Sequence, residues 1–237
     1  MILLSIALLS GLLVLGVVWV TFSLIAAILP ALLIALVVYF VMARRLAMKA
    51  QAAMTFAVSE IQKGRIDRGI ALLEDVKKQY AYWQFFTASA IDGQIGSLHY
   101  MRQEFSKAKP YLEKSFSRHW NAKAMLAVLA FKKKDYTKMD QIFDTATRYS
   151  PKQGLLWSVW AYCHWKVGNV SKAIEILLAG QKKLGSSDGH LIANLNHLQN
   201  NKKMKMNGYG QEWYQFHLEP LPQPAQQQQR QVRYVRR

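Results

Sequence analysis

Cys163, the chain's one cysteine, is followed directly by His164. A thiol and an imidazole support covalent catalysis, or hold a metal, when both side chains converge on one atom. These two are consecutive, and consecutive residues of a helix point about 100° apart. Cys163 therefore reads as a small core residue and His164 as a packing residue. His99, His119, His190, His197 and His217 show no ligand spacing. There is no glycine-rich phosphate loop, no His-Glu-x-x-His and no Cys-x-x-Cys. No catalytic residue, metal or cofactor is expected. One cysteine forbids an internal disulfide and fits a reducing compartment. What stands out instead is charge. The 237 residues carry 31 Lys and Arg against 14 Asp and Glu, a net +17, and every one of these lies after Met42. That excess suits an acidic partner: anionic lipid, nucleic acid or an acidic protein.

The elements that must position such a surface are helices. From residue 50 to 200 apolar residues recur at three- and four-residue spacing. Short breaks at Lys63–Gly64, Arg102–Gln103, Lys132–Asp135 and Val167–Asn169 separate paired helices. The clearest pair runs from Trp157 to Gly189, WSVWAYCHWKVGNVSKAIEILLAGQKKLGSSDG. Trp157, Trp160, Ala161 and His164 are followed there by Gly168, Val170, Ala173 and Leu177. This pattern resembles the tetratricopeptide repeat, a helical hairpin of about 34 residues with small residues where its two helices meet. Counting back from Ala173 by 34, 31 and 39 places the same frame on Met139, Ala108 and Gly69. Four repeats and a closing helix at 190–200 result.

The resemblance implies a stacked α-solenoid whose first helices line a concave groove. Carried residue by residue, the groove positions are Met54, Val58 and Ile61 in the first repeat and Ser97, Tyr100 and Met101 in the second. Asn121, Val128, Phe131 and Lys132 follow in the third, and Tyr162, Trp165 and Lys166 in the fourth. They describe an aromatic trough with a basic edge. Such a trough takes a protein or peptide partner through apolar anchors.

Residues 1–42 contain no charged residue and no histidine. A bilayer core is crossed by roughly 20 apolar residues, so 42 suggest two spans, near Leu3–Val20 and Leu24–Val41, turning at Thr21–Ser23. Arg44, Arg45 and Lys49 follow immediately and mark the membrane surface; residues 43–49 read as a basic joint. Basic flanks stay in the cytoplasm, which predicts a multi-pass inner-membrane protein with its repeats in the cytoplasm. After Asn200 the composition changes again. Residues 201–219 are basic and then aromatic, too apolar to leave in solvent, and are expected to fold back on the groove or cap the stack. Residues 220–237 are rich in Gln, Pro and Arg and read as a disordered basic tail.

The whole is read as all-α: a two-helix transmembrane hairpin, a tetratricopeptide-like solenoid and a tail. The expected function is a membrane-anchored scaffold for assembly of a membrane-associated complex, rather than an enzyme. The alternatives are a nucleic-acid- or ribosome-associated protein acting through its tail, or a non-catalytic subunit of a membrane enzyme.

Overall fold

The computed structural model of the chain describes residues 2–21, 24–80 and 87–220. Every regular element among them is helical. Helix α1 spans Ile2–Thr21 and α2 spans Leu24–Gln62. Four pairs can be traced from there: α2 with α3 (Ile66–Tyr80), α4 (Thr87–Met101) with α5 (Phe105–Lys114), α6 (Trp120–Lys132) with α7 (Tyr136–Tyr149), and α8 (Gly154–Lys166) with α9 (Val170–Leu184). Helix α10 (Gly189–Gln199) packs on both α8 and α9. A 3₁₀ turn at Asn207–Tyr209 and a one-turn helix α11 (Gln211–Tyr214) follow.

Helix α2 is the longest element. Its apolar part, from Ile28 onward, is long and apolar enough to cross a membrane, and that part is almost entirely exposed. A soluble core helix would bury it. Pro30 sits inside the helix, which a membrane-buried helix tolerates. The shorter apolar α1 lies against α2, with Ala7 and Ala31 buried between them. Residues 22 and 23, where the turn was expected, lie outside the described residues.

The joint expected at 43–49 is not a break. Ala-rich sequence with high helix propensity (ARRLAMKAQAAM) carries α2 through it without interruption. Arg44, Arg45 and Lys49 stand exposed on that continuous helix. At about 1.5 Å per residue, α2 is about 58 Å long, roughly twice a bilayer core. The helix long and apolar enough to cross a membrane is thus the same rod that packs on α3.

The four pairs close in one way. Gly64, Gln103, Lys134 and Gly168 all have positive φ, and so does Asn201 after α10. In each case the next residue's N–H reaches back five residues: Arg65 to Glu60 O, Glu104 to His99 O, Asp135 to Ala130 O, Asn169 to His164 O and Lys202 to His197 O, at 2.8–3.0 Å. This left-handed cap satisfies carbonyls that the helix end orphans. Gly168 adopts φ +87 without a side-chain penalty. The next helix then starts on a side-chain cap, Asp135 for α7 and Asn169 for α9, accepting from Lys138 N–H (3.0 Å) and Lys172 N–H (3.3 Å). Within the pairs, small residues allow close approach. A β-carbon on Gly96 would lie 2.9 Å from the Leu112 side chain and backbone, and Ala108, Ala127, Ala161 and Ala173 are fully buried.

First helices also touch in succession, α4 with α6, α6 with α8 and α8 with α10. Two cores result. The smaller joins α2, α3 and α4 through Ala57, Ile70, Leu73, Ile91 and Ile95. The larger runs from Tyr100 through α6, α8 and α9 to Met204, Met206, Trp213 and Phe216.

Candidate functional site

The face shared by α4, α6, α8 and α10 is where most of the sequence-predicted groove residues meet. It is covered by the chain's own residues 204–219, which cross it from α10 toward α4. Asn194 on α10 receives the segment first: Lys205 N–H donates to Asn194 Oδ1 (2.7 Å), and Asn194 Nδ2 donates back to Lys205 O (3.1 Å). Tyr209 OH lies 2.8 Å from Ser158 Oγ on α8 and 3.3 Å from both carboxylate oxygens of Asp188. Trp213 meets the Tyr162 ring edge-on, with centroids 4.7 Å apart. Asn121 Nδ2 on α6 donates to Gln215 Oε1 (3.1 Å). Tyr100 OH on α4 donates to the Phe216 carbonyl at 2.7 Å. The segment then turns back, and Glu219 accepts from Tyr162 OH (2.7 Å) and Trp213 Nε1 (2.9 Å). Trp213 and Phe216 are both fully buried.

The predicted residues take several roles on this face. Tyr100, Asn121 and Tyr162 bond the segment directly. Lys132 lies over the rings of Phe105 (4.5 Å) and Tyr100 (5.9 Å), and Lys166 over those of Tyr162 and Trp165 (both 5.2 Å). These are cation–π contacts at a basic rim. Trp165 is half-buried against Tyr162, and Phe131 half-buried against Tyr136. Met101 is exposed, and its carbonyl lies 3.2 Å from His217 Nε2. Val128 is a fully buried core residue. Sequence reasoning missed Asn194. A helical Asn flanked by apolar residues is its one signal, and nothing in the sequence pairs it with Lys205.

Burial sets the protonation chemistry. The hydroxyls of Tyr100 and Tyr162 are pushed far above the usual phenol range, first by burial and for Tyr162 also by its bond to Glu219. Both remain donors at any physiological pH. Burial lowers Lys132, and lowers His217 with help from the Lys132 ammonium. Cys163 is fully buried and its thiol is raised by that burial and then by Asp140, so a reactive thiolate is not formed. His164 Nε2 and Trp160 Nε1 share Asp140 Oδ1, at 2.8 and 2.6 Å. Among the described residues no three His, Cys, Asp or Glu side chains gather into a metal-ligand set.

No protein-family model and no curated protein matches the chain.

Proposed function

We propose that the chain is a membrane-anchored protein-interaction scaffold. In this reading α1 and the apolar part of α2 form a two-span anchor in the inner membrane. Helices α2 to α10 form a tetratricopeptide-like solenoid on the cytoplasmic side. The concave face is a peptide-recognition groove. The observation that carries the reading is the mode of contact on that face. Helices remote in sequence hold a short segment through two buried aromatic anchors and a few side-chain hydrogen bonds, the way helical-repeat grooves hold peptides. Arg44, Arg45 and Lys49, exposed just past the apolar part of α2, support the cytoplasmic placement and a contact with anionic lipid headgroups. The unbroken α2 supports a fixed stance: the same rod is anchor and first helix of the stack, so the groove is presented at a set height above the bilayer.

Two measurements test this. A photocrosslinker at exposed Met101, in the full chain in intact membranes, gives a discrete protein adduct that Lys132→Glu with Lys166→Glu abolishes. Adducts unaffected by those rim changes sink the groove reading. An epitope placed before Met1 is protected from external protease in intact cells. Its digestion there sinks the two-span anchor.

A further inference from the structure

Residues 202–219 are held in two different ways. Residues 202–209 are clipped down. Met204 and Met206 are buried, Asn194 brackets Lys205 on both backbone groups, and Tyr209 is tied to Ser158 and Asp188. Gly210 follows, with φ +60 and open space where a side chain would be. Beyond it, four backbone N–H groups of residues 211–217 bond within the segment, while the Phe216 carbonyl accepts from Tyr100 OH. The N–H groups of Trp213, Gln215, Phe216 and His217 donate to Gly210, Gln211, Trp213 and Tyr214. None of these four N–H groups depends on a groove helix, so the unit can leave without orphaning them. Trp213 and Phe216 are three residues apart, which puts both on one side of that turn, and Glu219 closes against Tyr162. The fit is also incomplete. Asn121 Oδ1 is buried without a hydrogen-bond partner while its Nδ2 serves Gln215. Such an orphan costs free energy that a donor from another ligand recovers.

Resting on the peptide-groove reading, we infer that residues 211–219 are an exchangeable internal ligand hinged at Gly210, and that the groove's partner is an acidic peptide of the form Trp-x-x-Phe-x-x-Glu. Charge agrees: Lys132 and Lys166 sit at the rim, and the internal ligand carries acids at Glu212 and Glu219. An intramolecular ligand acts at an effective concentration on the order of mM. With a bimolecular Kd of about µM for the internal copy itself, a partner is held off roughly 1,000-fold until that copy is displaced.

The test uses the full chain in detergent or nanodiscs and a fluorescein-labelled peptide with the sequence of Gln211–Glu219. Trp213→Ala with Phe216→Ala vacates the groove and leaves the clip. The peptide is expected to bind this variant at least about 100-fold more tightly than the unsubstituted chain, by the effective-concentration argument above. The same peptide carrying Glu219→Gln loses about 10-fold, one hydrogen-bonded carboxylate being exchanged for an amide. The peptide with both aromatics replaced by Ala does not bind. Equal binding to both chains overturns the inference, because the peptide then sits elsewhere. Equal binding of a scrambled peptide overturns the partner class and leaves the groove standing. A helical but vacated chain that binds no peptide overturns the groove reading itself. Should the double variant lose its helical circular dichroism, a protease site inserted between Gly210 and Gln211 and cut after folding gives the same answer. Release of residues 211–237 by excess peptide supports exchange, and retention against the peptide overturns it.

Discussion

The α2–α5 half and the α6–α11 half bury polar groups by opposite chemistry. The first uses charge. Glu60, almost fully buried, takes Lys63, Arg65 and Arg68 at 3.1–3.4 Å. Asp92 takes Lys77 at 2.5 Å. Glu104 joins His99 and Arg102, and Arg102 also holds Asp67. The second half relies on stacked rings and largely uncharged donors: Phe143 on Trp160, Trp157 on Trp160, Trp213 on Tyr162, and the amides of Asn194 and Asn121. The difference follows from what each half can bury. The smaller core has mainly aliphatic side chains and ends on the long helix α2, whose other end is apolar and exposed. The larger gains Trp213 and Phe216 from outside the helix stack and closes itself with them.

The sharpest way to break this division is Trp213→Ala. Removing a large, fully buried ring costs about 3–5 kcal/mol. Hydrogen exchange should rise in α8 and residues 211–219 and stay unchanged in α2 and α3. Equal loss of protection in α3 would mean that the two cores are one cooperative unit. Next in size is Lys77→Met. It strands the Asp92 carboxylate, 3% exposed, and costs about 2–3 kcal/mol. The loss should appear in α3 and α4, measured by the same exchange experiment. Asn194→Ala is the uncharged counterpart. It removes both bonds to Lys205 and costs about 1–2 kcal/mol, read as earlier thermal loss of the 204–210 clip. Added salt should not change the Asn194 penalty, since no ion pair is involved. A strong salt dependence there would erase the distinction between the halves.

Much of the pairing of helices was legible beforehand because turns punctuate it. Gly64 and Gly168 announce left-handed caps. Gln103 and Lys134 adopt the same conformation with no residue preference to advertise it, yet the breaks in apolar periodicity still located those turns. The continuity of α2 was not legible, for a physical reason. Arg44 and Arg45 look like a boundary in hydropathy, but charge alone does not stop a helix, and the Ala-rich sequence after them continues it. Of the residues expected on one face, Tyr100, Asn121 and Tyr162 bond residues 215–219, whereas Val128 lies in the core. What lies on that face was only partly readable. The aromatic content of 209–218 says that it must be buried somewhere, whereas Tyr100 and Phe216 meet across 116 positions, a pairing that local patterns do not encode.

Acid separates the halves in an order that their chemistry dictates, and this is the mildest test. His217 is held below its ordinary value by burial, then by Lys132 on α6, against the opposing backbone contacts at Met101 and Tyr100. Released, it titrates near about 6.5. The free segment therefore binds a proton more readily than the docked one. Docking is at full strength above about pH 6.5 and weakens as pH falls through the lowered docked value. In the other half Asp67 is held low by its hydrogen bond from Arg102, and Glu104 by His99 and then by Arg102 and Lys107. Their contribution is complete above about pH 4.5 and is lost only as pH falls through still lower values. Amides of 211–219 should thus begin to exchange as pH falls below about 6.5, while α3 and α4 stay protected until below about pH 4. The reverse order would overturn the assignment of charge to one half and burial to the other. Lys132→Met sharpens the point. It removes the smaller of the two causes lowering His217, so the acid loosening of the segment should shrink without disappearing. Its disappearance would mean that the ammonium, and not burial, governs the latch.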